Sequence, residues 1–288
     1  IRNRKKRMKK FLILLVIIGQ SSFMSGQRVE YGLGIGAAVY WGDLNTPEFT
    51  TNLGMTNLAV QGMLKYNFNQ TLSTRLNLLY GSLSGDDSNS TADWQLLRNL
   101  DFDSKLLELS VLADFHVLNL FMDKRRISPY LSAGVAGFYF NPTTIYEGDK
   151  VALQPLGTEG QGLPGFADRY SKVAFAIPFG GGLEVAIDKS TNLYLEIIAR
   201  RSATDYIDDL STTYVTFDEL ANGNGILAAQ LGNRQGEFLG QAEPVILETG
   251  AQRGSPSVND YYITFMATVT FRLSGSRFGG NGVKCPTF

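Results

Sequence analysis

Strand-like segments joined by links that alternate short and long constrain this chain more than any other feature. Short links fall at 68–70, 119–127 and 188–191. Long links run 42–55, 82–103, 141–171 and 201–257. A soluble sandwich has no need of that alternation. An outer-membrane barrel does, because its periplasmic turns are short and its outer loops long. The expectation is an all-β fold: an eight-stranded antiparallel transmembrane β-barrel with long extracellular loops, short periplasmic turns and both chain ends in the periplasm.

The first residues read as a leader. Lys9 and Lys10 precede an apolar run over 11–18, followed by Gly19, Ser21, Ser22, Ser25 and Gly26, the charged, apolar and small-residue order of a secretory signal. A spanning helix needs about 20 apolar residues, so this run is too short to anchor the chain. The reading assigns 1–26 to the signal and its charged extension, 27–272 to the barrel and 273–288 to a periplasmic tail. The leader carries seven of the 26 basic residues and none of the 27 acidic ones, leaving 19 against 27, a net of −8. That balance argues against nucleic acid, which needs a basic face. Cys285 is the only cysteine, so no internal disulfide forms. A lone cysteine in an exported protein points to a free thiol or a bond to a partner.

Seven of the segments alternate, with one consistently apolar face. Tyr31, Leu33, Ile35, Val39 and Trp41 oppose Gly32, Gly34, Gly36 and Ala38. Leu58, Val60, Leu64 and Tyr66 oppose Gln61, Met63 and Lys65. Leu72, Leu76, Leu78 and Tyr80 oppose Arg75 and Asn77. Leu107, Leu109, Val111 and Phe115 oppose Glu108, Ser110, Asp114 and His116. Later segments set Phe175, Ile177 and Phe179 against Gly180, Gly182 and Glu184, and Leu195 and Ile197 against Glu196 and Arg200. The last sets Phe265, Val269 and Phe271 against Thr264, Thr268, Thr270 and Arg272. The segment 128–140 is apolar and small on both sides, so its phase stays open. An eight-stranded barrel is just wide enough for side chains to fill, so the bulky face belongs outside against lipid and the small, polar face inside. A lipocalin-like soluble barrel would reverse this. Tyr31, Tyr66, Phe115 and Phe271 at one end, with Trp41 and Tyr80 at the other, suit interfacial girdles.

The inner face then gathers Lys65, Arg75, Arg200 and Arg272 against Glu108, Asp114, Glu184 and Glu196. Buried charges are tolerable when paired, so a balanced set of this kind implies a cross-linked plug rather than an ion path. Other candidates carry less. His116, the only histidine, falls beside a short turn, away from the outer rim where a nucleophile and base would be needed. Asp205, Asp208 and Asp209, like Asp86 and Asp87, lack the spacing of an EF-hand loop and read as solvated loop acids. Gly32, Gly34 and Gly36 lie on one strand face with no helix following, the wrong setting for a dinucleotide fingerprint. Lys124, Arg125 and Arg126 form a basic turn suited to periplasmic partners or anionic headgroups. Nothing calls for a cofactor or a metal.

The run Tyr31–Asn45, YGLGIGAAVYWGDLN, resembles the opening strand of the PorG-type barrels of Bacteroidota, which accompany type IX secretion and gliding machinery. The turn KYNFN at Lys65–Asn69 and the cysteine-bearing tail over 280–286 fit the same pattern, while the loop 201–257 is longer than it. The resemblance implies a non-enzymatic outer-membrane component in contact with lipid. Its periplasmic side would meet a ring lipoprotein and that lipoprotein's periplasmic partner through Lys284, Cys285 and Pro286. The competing expectation is a stand-alone OmpX- or OmpW-like barrel acting in adhesion or small-ligand passage. An outer-membrane protease or deacylase comes third.

Overall fold

The computed structural model describes residues 29–45, 54–120, 126–241, 245–257 and 259–273. The leader, Lys124, Arg125 and the tail residues Lys284, Cys285 and Pro286 lie outside the described residues. The strands are β1 (Val29–Trp41), β2 (Asn57–Asn67), β3 (Leu72–Asp86), β4 (Asp101–His116), β5 (Ile127–Tyr146), β6 (Asp149–Ala152), β7 (Val173–Ala186), β8 (Thr191–Ser202) and β9 (Tyr261–Arg272). All except β6 form one closed antiparallel barrel of eight strands. The order β4-β3-β2-β1-β9-β8-β7-β5 is closed by pairing of β4 with β5, while β6 is a short hairpin strand on the far end of β5. Closure removes the sheet edges, so the ladder groups of every strand find partners.

The two faces follow the alternation of the sequence. Leu33 is 79% exposed, Phe175 75% and Leu58 67%, whereas Lys65, Arg75 and Glu108 are buried. A soluble protein does not present an apolar exterior on this scale; the exterior is a lipid-facing band. β5 resolves its open phase with Leu131 and Val135 outside and Ser128, Tyr130, Ser132, Phe138 and Phe140 inside. Tyr31 stacks at a tilt on Phe271, ring centroids 5.9 Å apart, at the girdle beside the short turns.

The short links join strand ends through side-chain-capped turns. Asn69 Oδ1 accepts from the Thr71 and Leu72 amides, and Asp188 Oδ1 from those of Ser190 and Thr191, the usual use of Asn and Asp in turns. At the opposite end the strands run further than their apolar alternation. Ser84 still pairs with Asp103 and Asp86 with Asp101, although 82–103 reads as loop. Once a strand leaves the lipid band its outer residues are free to be polar, so the alternation stops while the backbone pairing continues.

The long connections fold into a cap over that mouth. It contains α1 (Asp93–Arg98), α2 (Phe217–Gly223), α3 (Ile226–Gly232) and α4 (Gln235–Phe238). The expected small, polar interior holds only for part of the barrel. Near the cap the interior is apolar: Tyr40, Leu79, Leu83, Leu106, Phe138, Phe140 and Met266 form one core with Leu44, Leu153, Ile207, Leu210 and Leu231 of the connections. The apolar residues of the long links pack down into the mouth, so that end of the lumen is closed by ordinary core packing.

Candidate functional site

Moving up from the short turns, the interior is first a ladder of charges. Glu30 of β1 meets Arg272 of β9 at 2.9 Å and also accepts from Asn67, Asn192, Tyr194 and Thr270. His116 Nε2 lies 2.8 Å from Glu184 Oε2. Above them Asp114 takes both Lys65 at 3.1 Å and Arg75 at 3.2 Å, and Arg75 reaches on to Glu196 at 2.5 Å. Gln61 and Tyr130 donate to the same Glu196, and Ser132 to Asp114. Higher still, Arg200 binds Glu108 at 2.6 Å, and Tyr262 donates to the same carboxylate at 2.8 Å. Lys65 also sits 4.4 Å from the centroid of the Tyr194 ring, a further stabilisation of its charge. Each of these charges meets an opposite charge or a directed hydrogen bond, the condition under which low dielectric strengthens a network.

The cap holds its acids differently. Tyr40 Oη lies 2.6 Å from Asp208 Oδ2 and 2.9 Å from Asp260 Oδ1, with all three residues buried. A phenol has one proton to donate, so the second contact requires a proton on one of the two carboxyls. Burial holds both Asp208 and Asp260 well above the usual carboxylate range, with repulsion from Asp260 adding to it at Asp208 and from Asp205 and Asp43 at Asp260. Burial also pushes Asp205 up to about 7 and Asp209 up to about 6. The backbone amides of Leu210 and Ile207 complete the shells of Asp208 and Asp260. Gly42 makes this arrangement possible: a Cβ there would lie 2.0 Å from Tyr40 Oη and 2.1 Å from Asp260 Oδ1.

Two buried arginines tie the connections together. Arg98 grips Asp87 with two bonds of 2.7 Å and donates to the Asp43 and Arg253 carbonyls. Arg253 binds Glu159 at 3.0 Å and donates to the Gly232 and Asp209 carbonyls. The GDLN run is the centre of this knot. Asp43 Oδ2 accepts from the Ser255 amide at 2.6 Å, Gly42 N donates to Asn45 Oδ1 at 2.9 Å, and Leu44 is buried in the core.

The eight inner charges singled out in the sequence therefore line the barrel, but three groupings depend on residues outside that set: Glu30, His116 and Tyr262. Glu30 is in phase with Gly32 and Gly34 and so was findable by alternation. The reading of Asp87, Asp205, Asp208 and Asp209 as solvated acids is overturned: Asp87, Asp208 and Asp209 are at most 2% exposed and Asp205 9%. Asp208 meets Tyr40 of β1, and Asp209 meets Thr158 and Tyr170 of another connection, contacts that no local spacing signals, while Asp87 is held by Arg98 of its own link. Among the described residues no group of three or more His, Cys, Asp or Glu is arranged to hold a metal ion.

The family described as "Domain of unknown function (DUF6089)" matches residues 8–227, and the chain belongs to it. No curated protein sequence matches the chain. Among solved structures it is similar to Neisserial surface protein A, at 10% identity and a TM-score of 0.41, over 86% of this chain and 97% of that one. It is also similar to OprG of Pseudomonas aeruginosa, at 9% identity and a TM-score of 0.39, over 87% and 99%. A further similar structure is the outer-membrane enzyme PagL, at 12% identity and a TM-score of 0.31, over 84% and 98%. Such folds carry unrelated functions. A closed eight-stranded barrel with a lipid-facing exterior makes this chain an outer-membrane β-barrel protein.

Proposed function

We propose that this member of the DUF6089 family is a closed, non-enzymatic outer-membrane anchor, with its short turns in the periplasm and its cap outside. The observation that carries this reading is the filled interior: paired charges occupy one half and apolar core the other. A water-filled path generally takes sixteen or more strands, so a lumen of this kind serves rigidity rather than passage. The resemblance at Tyr31–Asn45 extends the reading to type IX secretion. The tail 273–288 would then hold a periplasmic ring lipoprotein and its partner, with Lys284, Cys285 and Pro286 at the contact. The periplasm permits a mixed disulfide at Cys285.

Deleting residues 279–288 tests this. The truncated barrel should stay folded and heat-modifiable on gels, while a periplasmic partner ceases to co-purify and secretion fails. Cys285→Ser should abolish any reductant-sensitive adduct. An intact complex and normal secretion in the truncated strain would sink the anchor. Planar-bilayer recordings should give no stable large conductance.

One observation favours the second reading, a stand-alone barrel acting in adhesion. The cap presents a cleft of about 400 Å³ beside Trp94, Arg98, Tyr214, Gln235 and Gln252, and Trp94 is 62% exposed. An exposed aromatic in a cleft that also presents an arginine and two glutamine amides suits an external ligand. Small-ligand passage fits less well with the packed lumen.

A further inference from the structure

At the edge of the apolar band on the barrel's outer face, two lysines have no ion-pair partner among the described residues, unlike the charges inside. Lys105 lies on the outer face of β4, two residues beyond the lipid-facing Leu107. It is exposed and, among the described residues, has no acid within ion-pair distance. Its register neighbours are Ser82 on β3 and Asn141 on β5, both neutral. Lys172 stands just ahead of β7. Its backbone carbonyl accepts from the Phe140 amide, and its ammonium reaches Asn141 Oδ1 at 3.2 Å and lies 5.9 Å from the Tyr139 ring centroid. Tyr139 faces outward, 41% exposed, so Lys172 is drawn to the outer surface over it. The nearby outward acid, Asp103, is taken by Lys150 at 2.9 Å.

The result is a short row from β4 across β5 to the residue ahead of β7, Lys105–Asn141–Lys172, with two positive charges and one amide, and among the described residues no neutralising acid. Neighbouring strands stand about 4.8 Å apart, and a lysine stem is longer than that, so both ammoniums can close on one group above Asn141. The row sits where the apolar band ends and the polar connections begin. A cation left there without a partner extends its stem along the lipid face and its head toward the interface. The groups that meet it at that depth are lipid phosphates. We propose that Lys105, Asn141 and Lys172 form a binding notch for the phosphate of an anionic membrane lipid, with the Tyr139 ring packed against the lipid below the headgroup. The proposal rests on the barrel's place in a membrane and is independent of the anchoring role.

Native mass spectrometry of the full chain in detergent tests it, with phosphatidylglycerol, phosphatidylcholine or inorganic phosphate as probes. The wild-type barrel should retain phosphatidylglycerol in preference to phosphatidylcholine and should retain no inorganic phosphate. Combining Lys105→Gln with Lys172→Gln should weaken phosphatidylglycerol retention about thirtyfold, the effect of two lysines at an anionic interface. Lys189→Gln, an exposed lysine of the short turn at the opposite end of the barrel, should leave it unchanged, and Lys105→Arg with Lys172→Arg should preserve it. Heat-modifiability on gels checks that each variant is folded. If the glutamine pair fails to fold, each single Lys→Gln variant carries the test, with about a fivefold loss expected from one lysine. Equal retention of phosphatidylcholine, undiminished adducts in the glutamine variants, or an equal loss in Lys189→Gln would overturn the assignment. Retention of inorganic phosphate alone would overturn the lipid as its source. A failure of the tail experiment would leave the notch untouched.

Discussion

The barrel interior beside the short turns and the cap over the opposite mouth both bury carboxylates, yet they answer them by opposite means. In the interior Asp114, Glu196, Glu108 and Glu30 each meet an arginine or lysine. In the cap Asp208 and Asp260 meet a tyrosine hydroxyl and backbone amides, with a proton shared among them. Cationic pairing keeps an acid ionised; a shared proton keeps it neutral. The first region is therefore held by charge throughout, while the second adds a protonated pair, Asp208 and Asp260, to its two ion pairs Arg98–Asp87 and Arg253–Glu159. Buried ion pairs of the first kind add little net stability over an apolar filling but are costly to break. The second kind depends on the pH around it.

The largest expected effect separates the two regions at Arg75. Arg75→Ala leaves Asp114 with Lys65 as its one cation and Glu196 with only neutral donors. It should destabilise the barrel by about 3–5 kcal/mol if that layer is dry, read as a lower urea midpoint in lipid vesicles. A loss under about 1 kcal/mol, the scale of a screened surface pair, would mean that water reaches the network. Tyr40→Phe strikes the cap instead. It removes the one hydroxyl between Asp208 and Asp260 and should cost about 1–3 kcal/mol of local stability. The readout is faster proteolysis within 203–260 with the barrel's heat-modifiability unchanged. Equal loosening of both regions would erase the distinction drawn between them.

Acidity sharpens the contrast without mutation. Folded Asp205 and Asp209 keep their protons to about 7 and about 6, against an ordinary value of 3.8. The folded cap thus binds more protons than the unfolded chain over that interval. Its stability is fully present at low pH and declines as pH rises through 6 to 7. Hydrogen exchange, corrected for intrinsic rates, should show the 203–260 amides less protected at pH 8 than at pH 5, with the strand amides unchanged. Greater cap protection at pH 8 would refute the shared-proton account. The smallest effect belongs to an exposed turn. Asp188, lowered to about 2 by the Ser190 and Thr191 donors, holds its turn at every pH above that value and releases it as pH falls through it. Asp188→Ala should speed exchange of the Ser190 and Thr191 amides at neutral pH and leave both interior regions intact.

Much of the barrel was legible in advance because a two-residue period assigns each side chain to a face whatever strand lies next to it. Lys65, Arg75, Glu108, Asp114, Glu196 and Arg200 could be placed inside on that ground alone. Glu30 obeys the same rule. β5 escaped it because Ala133, Gly134, Ala136 and Gly137 are too small on both sides to mark a face. The ends of β3 and β4 escaped it because strands outside lipid need not alternate. The cap acids were misread for a different reason: spacing such as Asp205, Asp208 and Asp209 describes a local segment, and what meets Asp208 and Asp209 is Tyr40, Thr158 and Tyr170 from elsewhere in the chain.

The amino-acid sequence by itself determined the strand count, the lipid-facing surface and the population of interior charges, since alternation and link length are local properties that closure only repeats. Tertiary structure alone decided which charge meets which, that half the lumen is apolar, and that the cap acids share protons. Those outcomes depend on distances between segments as far apart as Tyr40 and Asp260, which no local pattern encodes.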